Sequence, residues 1–460
     1  MRKKNQEQLP LMASVIEHPR AKELEQISQI LDSIPTINEM VLQDLTHGRS
    51  NPTGAEGMTA EQVLRAAIIK KIEGFSYEEL AFHLLDSRTY RAFCRIGIAH
   101  KAFKKSALCR NIKSISPQTW EAIHRLVLAY GEDQQIEKGK QSRIDCTVVS
   151  TNIHEPTDSS LLWDCVRVIT RIIVKINERF EGAKIPFSDH TKRAKRRMMG
   201  VLNAKNEKVR KEKYEDLLKV TEKTIGYAEN ALPLLKSLPL TGAMDMVAAL
   251  SMADELNQIL PLARKIMDQT IRRVVHGESV PANEKVVSIF EPHTDIIVKD
   301  RRDTFYGHKG CLSGGPSNLI TDCLIVEGNP ADVTLTTTML DRHLEIYGHV
   351  PVKAALDGGF ASTENLRVAK GNGVKDVCFS KKRGLKEEDM CKSSWVYKRL
   401  RRFRAGIESG ISWLKRSLGL DRCTWKSFRS FKSYVWASIV SANLLTMARR
   451  LLAPPEAEMG

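Results

Sequence analysis

Between residues 20 and 130, apolar positions recur at helical spacing. In "MTAEQVLRAAIIKKIEG" the residues Leu64, Ile68 and Ile72 form one stripe; Thr59 and Gln62 form a capping box ahead of it, and Gly74 ends it. "SYEELAFHLLDS" opens on a second box, Ser76 with Glu79. "SPQTWEAIHRLVLAYG" has Ser116 as cap and Pro117 at the first helical position, where its missing N–H matters least. All three segments are predicted helices. The pair around Gly74 has the outline of a DNA-reading helix-turn-helix, but a plain helical bundle is the simpler expectation, because periodicity does not show the turn geometry.

The period changes at "SRIDCTVVST", where Ile144, Val148 and Val149 predict a strand. From Leu161 to about Val275 the pattern is helical and highly charged, with the basic runs "HTKRAKRRMMG" and "KVRKEKYEDLLK". A solvated helical face explains such runs as readily as a binding surface does. Strand signals return at Val286. "DTFYGHKGCLSGGPSNLITDCLIVEG" predicts a hairpin turning at Gly314-Gly315-Pro316. A helix over "ADVTLTTTMLDRHLEIYG", a strand "VKAALD", a helix "STENLRVAKG" capped by Ser362, a strand "VKDVCFS" and a basic helix starting near Trp395 follow. The expected order is strand, long helical insertion, two strands, helix, strand, helix, strand, helix. No repeat of fixed period interrupts it.

Composition narrows the class. With 460 residues the chain is long enough for two or three domains, and 42% hydrophobic residues allow a large core and argue against global disorder. A formal net charge of +16 suits a polyanionic partner, although charge alone is equally compatible with a merely basic protein. The nine cysteines include no Cys-x-x-Cys pair and no zinc or disulfide spacing, so reduced thiols in a cytosolic compartment are expected. "MRKKNQEQLP" is polar with no apolar stretch behind it, so no signal peptide is expected. "SYVWASIVSANLLTMA" is too short and too polar to span a membrane.

Three acids carry the candidate chemistry. Asp145 lies inside the apolar run Ile144 to Val149, where a charge is paired, bound to a metal, or facing out. Asp357 stands where "VKAALD" gives way to Gly358-Gly359, the end of a strand at which open α/β sheets place ligands; an Asp-Gly turn is the ordinary alternative. Glu408 is the one acid in "RFRAGIESGISWLKRSLGL", among Arg402, Arg404, Lys415 and Arg416. At about 100° per residue Arg404, Glu408 and Lys415 share a face, beside the apolar stripe Ile407, Ile411, Leu414 and Leu418. An ordinary amphipathic helix with an i,i+4 ion pair between Arg404 and Glu408 would read the same way. Gly406 and Gly410 weaken that helix by about 1 kcal/mol each relative to alanine, which suits the close approach of another helix or a DNA backbone. One acid on the first strand, one at the end of a later strand and one on the final helix match a ribonuclease H-like sheet. Converging carboxylates suit Mg²⁺, and two such ions roughly 4 Å apart can hold the attacking and leaving oxygens of a phosphoryl displacement.

At this point the sequence resembles the DDE transposases of bacterial insertion sequences, over most of the chain. "MTAEQVLRAAIIKKIEGFSYEELAFHLLDSRTYRAFCRIG" is similar to the helical domain that precedes many of their catalytic domains. "RIDCTVVST" matches the first-acid strand at Asp145 and "AALDGGFAS" the second-acid motif at Asp357. "RAGIESGISWLK" matches the third, in which an Arg, three residues, a Glu, six residues and a Lys fall on Arg404, Glu408 and Lys415. A tyrosine often stands three positions before the motif arginine; here Arg401 does. The long gap after Asp145 leaves Asp158 and Asp164 as rivals, and Asp145 is preferred because only it lies in a strand-like run.

The resemblance implies an α/β fold, a ribonuclease H-like mixed sheet flanked by helices, with an all-α N-terminal domain (1–135) and a catalytic domain (136–450) carrying a large helical insertion at about 160–285. It implies Asp145, Asp357 and Glu408 as catalytic metal ligands for Mg²⁺, with Mn²⁺ as substitute. Arg401, Arg404, Lys415 and Arg416 would hold DNA, as would Lys192, Arg193, Lys195, Arg196 and Arg197 in the insertion. Trp395, Trp413 and Trp425 lie among basic residues; base stacking is open to them, but core packing is their expected role. The implied partner is double-stranded DNA, the element's terminal inverted repeats and the target, bound by a homodimer or larger assembly in the cytoplasm at the nucleoid, with no membrane. Two other readings differ in chemistry: a DNA-binding protein of transposase descent that no longer cuts, and a nuclease on the same fold without strand transfer.

Overall fold

The computed structural model describes residues 17–46, 57–97, 103–180, 184–238, 242–299 and 303–453; the signal-peptide reading of "MRKKNQEQLP" lies outside them. Helices come first: α1 (Pro19–Asp32), α2 (Thr36–Thr46), α3 (Ala60–Glu73), α4 (Tyr77–Asp86), α5 (Arg88–Phe93), α6 (Lys105–Ser114) and α7 (Pro117–Asp133). Both predicted capping boxes are closed. Thr59 Oγ1 accepts from the N–H of Gln62, and the Gln62 side chain accepts from the N–H of Thr59; Ser76 and Glu79 do the same. Gly74 ends α3 in the left-handed conformation, at φ 71°. Ser116 caps α7 with Pro117 in its first turn.

Strand β1 (Gln141–Ser150) leads into α8 (Asp158–Arg179), α9 (Thr191–Leu202), α10 (Glu207–Ser237) and α11 (Ala243–Thr270), the predicted long helical stretch. Three strands follow rather than two: β2 (Asp295–Lys299), β3 (Asp303–Gly314) and β4 (Ile320–Val326). The extra strand is "DIIVK", five residues whose first and last side chains are charged, too short a run for alternation to stand out. The chain closes with α12 (Thr336–Tyr347), β5 (Lys353–Leu356), α13 (Thr363–Gly371), β6 (Asp376–Phe379), the short α14 (Glu387–Met390), α15 (Ser394–Leu418) and α16 (Phe428–Leu452).

The six strands form one mixed sheet in the order β2-β3-β1-β5-β6, with β4 also on β3. β1 is central. It runs antiparallel to β3 and parallel to β5, and β5 runs parallel to β6. This mixed sheet flanked by helices is the arrangement of a ribonuclease H-like fold. At the predicted hairpin turn, a Cβ on Gly315 would overlap the carboxylate of Glu137, which is buried and accepts hydrogen bonds from the backbone of Ser317, Lys138 and Gly139. Glycine is therefore needed there because β3 and β4 turn around a buried acid.

Buried side chains gather in three clusters. The first joins the N-terminal helices to α16, the second half of α15 and one side of the sheet, through residues such as Leu64, Ile68, Leu312, Ile407 and Leu444. The second lies within α8–α11 and includes Ile169, Leu217, Leu256 and Ile266. The third packs β5, β6, α12, α13 and the start of α15, with Ile144, Ala355, Val377 and Leu400. α16 holds the apolar segment "SYVWASIVSANLLTMA". It is buried almost all round, and Asn443 within it satisfies the backbone N–H and C=O of Ile320 at 2.9 and 2.8 Å. Among the described residues no helix is long and apolar enough to cross a membrane. All nine cysteines are free.

Candidate active site

Parallel pairing of β1 with β5 sets two of the three acids side by side. Ile144 is in register with Leu356, and the N–H of Asp357 donates to the carbonyl of Ile144 at 3.3 Å, so Asp145 and Asp357 leave adjacent strands at the same level. α15 packs across β1, β5 and β6, burying Val396, Tyr397 and Leu400 in the cluster with β5 and β6 and Ile407, Ile411, Leu414 and Leu418 in the cluster with the N-terminal helices. That packing brings Arg404 and Glu408 over the two aspartates.

The side chain of Arg404 is only 11% exposed and touches all three carboxylates. Its Nη1 lies 2.5 Å from Asp357 Oδ1 and 3.8 Å from Asp145 Oδ2, and its Nη2 donates to Glu408 Oε1. Asp357 also accepts from Ser380 Oγ at 2.9 Å and from the N–H of Gly359 at 3.3 Å. Asp145 Oδ1 accepts from the N–H of Cys146 at 2.8 Å. Asp158 and Asp164 are elsewhere, on α8. Arg273 holds the first at 2.8 Å and Arg167 the second at 2.6 Å, so the acid beside Asp357 is Asp145.

The two aspartates are pushed apart in acidity. Burial, then the neighbouring Asp357 and Glu408 charges, raise Asp145 to about 6 against the pull of Arg404 and the Cys146 N–H. Asp357 goes the other way. Burial works against its ionisation, but the Ser380 hydroxyl, the Gly358 and Gly359 N–H groups and Arg404 together hold it below the ordinary aspartate value. Because the Asp145 carboxyl is raised on folding, its ionised form opposes folding. That penalty is absent below the ordinary aspartate pKa, grows as pH rises towards about 6, and is constant above. Asp145→Asn is therefore expected to stabilise the chain by up to about 3 kcal/mol above that window and by little at the acid end. Urea unfolding at the two pH extremes measures the difference.

Several predicted DNA-holding residues stand differently from one another. Arg404 faces the carboxylates and not solvent, which departs from the phosphate-contact expectation. Burial pushes the ammonium of Lys415 down, and Asp421 lies 3.7 Å from it. Arg401 and Arg416 are exposed on α15. In the insertion, Arg193 and Arg197 on α9 both bind Asp216, whereas Lys192, Lys195 and Arg196 are exposed. The tryptophan expectation holds for Trp425, which is buried, and fails for Trp395, which is 65% exposed with the Arg399 guanidinium 5.4 Å over its ring.

What approaches the glycines is also different. A Cβ on Gly406 would overlap the Arg143 guanidinium, which donates to the carbonyl of Phe403 at 3.2 Å and to Asn318 at 2.7 Å. Gly358 and Gly359 make room for Lys381 and Asp332 in the same way. Protein side chains, and not a DNA backbone, fill these gaps. Sequence reasoning did not reach Ser380 or the pair Lys309–Asp332, joined at 2.8 Å beside Gly359. Ser380 directly follows β6, next to the end of β5, so the strand-end rule that found Asp357 could have found it. Nothing in the local sequence marks Lys309.

Among the described residues no group of three or more His, Cys, Asp or Glu stands close enough together to hold a metal ion as arranged. What stands among these three carboxylates is a guanidinium. The donor set itself, three hard carboxylate oxygens on separate elements gathered around one cationic group, has the chemistry that suits a divalent ion.

Residues 299–444 match the family described as Transposase DDE domain, and residues 15–114 match the Transposase domain (DUF772). Together the two matches span more than half of the chain. Asp357, Arg404, Glu408 and Lys415 fall inside the first; Asp145 lies ahead of it, and its place beside them rests on the pairing of β1 with β5. Neither a curated protein nor a solved structure matches the chain.

Proposed function

Because the chain belongs to the DDE transposases, we propose that it cuts DNA at the ends of an insertion element and joins those ends to target DNA, using Asp145, Asp357 and Glu408. The observation that carries this reading is the meeting of three carboxylates from β1, the end of β5 and α15 around the single guanidinium of Arg404. A divalent ion bound there, Mg²⁺ or Mn²⁺ in its place, would supply charge neutralisation at the scissile phosphate and activation of the attacking oxygen. In the first reaction water displaces the 3′-oxygen of the element end from phosphorus. In the second, the freed 3′-hydroxyl attacks a target phosphodiester, and the target's own 3′-oxygen leaves. Both displace one oxygen by another at phosphorus, so the protein's task is positioning and charge.

The chain's own residues divide that task. Asp357, fixed by Ser380 and the Gly359 N–H, and Asp145, fixed by the Cys146 N–H, present oxygens from a rigid sheet. Lys415, Arg401 and Arg416 extend from the same helix as Glu408 and would hold the phosphates on either side. The helical residues 1–135 would read the terminal repeats, and the catalytic part, 136–450, would act on them in the cytoplasm at the nucleoid. Two ends must be cut, which calls for two copies of the chain or more.

The test is cleavage of DNA carrying the sequences that flank the reading frame, which should contain short inverted repeats on both sides. Cutting at the repeat with Mg²⁺, followed by joining to a second duplex, supports the proposal. Cutting without joining would leave a nuclease, and binding without cutting a DNA-binding descendant.

The insertion makes a separate, measurable contribution. Replacing Lys192, Lys195 and Arg196 with glutamine removes exposed charge without touching the Asp216 pairs. Affinity should fall on all sequences alike, and the log–log salt slope should flatten by roughly 0.9 for each duplex phosphate that is no longer neutralised. Cleavage of DNA already bound should hold steady. An unchanged slope would make this face of α9 a solvated helical surface.

A further inference from the structure

Arg404 is the only cationic group that reaches all three carboxylates among the described residues. Its position is unlike that of a DNA-binding side chain. It is 11% exposed, and both of its terminal nitrogens point at acids. Two of its partners are more open: Asp357 is 37% and Glu408 57% exposed on their side chains, against 18% for Asp145, so solvent and ligands reach at least those two acids. Three carboxylates against one guanidinium leave the group negative overall, which attracts a second cation. The second cation, however, must take oxygens of the same three carboxylates, and two cationic groups held that close together repel each other.

Phosphate changes that balance. A guanidinium binds a phosphate as well as it binds a carboxylate, through the same forked pair of N–H groups. An incoming DNA phosphate also adds the negative charge that lets two cations stand together. Arg404 hangs from α15 one turn before Glu408 on a long, unbranched stem, so a rotamer change is enough to turn its head from acid to phosphate without moving the helix.

We propose that Arg404 is a built-in counterion that holds the three carboxylates against divalent cations until a DNA phosphate draws its guanidinium away, so that cation loading and DNA binding reinforce each other. The inference rests on the reading of Asp145, Asp357 and Glu408 as the cation-holding set. It makes Arg404 a positioning residue whose effect on cation affinity is negative before DNA arrives.

Equilibrium binding of Mn²⁺ to the full chain, followed by electron paramagnetic resonance of the free ion, reads this directly and needs no turnover. Without DNA, Arg404→Gln should bind Mn²⁺ about tenfold more tightly than the parent chain, in the usual range of coupling between sites. A short duplex should tighten Mn²⁺ binding by the parent chain more than by Arg404→Gln, because only the parent has a guanidinium to release. Equal or weaker Mn²⁺ affinity in Arg404→Gln, or equal tightening by DNA in both chains, would overturn the proposal. If Arg404→Gln does not fold by circular dichroism, Arg404→Lys serves: its ammonium cannot bridge three acids, so tighter Mn²⁺ binding is again expected and an unchanged value is again fatal. Asp357→Asn and Glu408→Gln, each added to whichever Arg404 variant folds, separate this idea from its parent. Both should abolish the tight Mn²⁺ binding. If binding persists undiminished, the ion is not held by these acids, and the reading of the site fails before the role of Arg404 arises.

Discussion

Asp357→Asn should lower the rate of DNA cleavage by on the order of 10³-fold or more, about 4 kcal/mol in the barrier, while leaving affinity for DNA the same or higher. The substitution keeps the side chain's size and its place after β5. It removes one of the three negative charges around Arg404 and one of the neighbouring charges that raise the Asp145 carboxyl. Affinity holds because a carboxylate close to phosphate repels it, so its loss costs the ground state nothing. Glu408→Gln should behave alike. Single-turnover cleavage at saturating protein, with binding measured alongside, separates the two effects. Cleavage by Asp357→Asn at the parent rate would sink the catalytic assignment of that residue.

The second large effect concerns stability. Arg342 on α12 donates to both oxygens of Asp322 on β4, at 2.5 and 2.7 Å, and to Glu121 on α7 at 2.8 Å. The Asp322 side chain is 3% exposed. These bonds to Asp322 and Glu121 outweigh burial and raise the guanidinium above its ordinary value, so it stays charged. Arg342→Met strands a carboxylate in the interior and should lower the unfolding free energy by about 3–5 kcal/mol. Adding Asp322→Leu should restore much of that loss, because an apolar pair of similar size avoids the desolvation that an ion pair must overcome. Chemical denaturation of the parent, single and double variants gives the cycle. A single variant as stable as the parent would mean that Asp322 finds water or another donor.

Much of this architecture is legible in the sequence because local rules and tertiary packing agree. Thr59 and Gln62, Ser76 and Glu79, and Ser116 with Pro117 mark helix starts by hydrogen bonds that close within a single turn. The stripe from Ile407 to Leu418 names its buried face by period alone. Less legible is whatever depends on a residue from a distant element. Helical spacing places Arg404 and Glu408 on one face, but what lies opposite is decided by β1 and β5, so the guanidinium turns inward to acids. Gly406 of α15 and the glycines of the turn after β5 mark a close approach, and Arg143, Lys381 and Asp332 are what approaches, whereas Gly410 meets only Ile320 at ordinary contact distance. The strand "DIIVK" is short and exposed in part, and its pairing with β3 defines it. Trp395 carries no local sign of whether its ring faces in or out.

The helices α8–α11 have a hydrophobic cluster of their own, and the Asp158–Arg273 pair fastens the beginning of that segment to its end. This bears on the order in which the chain can fold. Joining β1 to β3 means closing a loop that contains all four helices, and closure entropy grows with the number of free residues in the loop. A segment that collapses first around its own cluster, with its two ends pinned together, removes its length from that loop. The search for strand partners is then limited to the short stretches between the pinned ends and the strands. A chain whose first acid is separated from the second by a long intervening segment would otherwise fold slowly, as non-local pairings do. Because α8–α11 precede β3 in the chain, a segment that closes on its own cluster in this way shortens the loop between β1 and β3 and with it the separation of Asp145 from Asp357.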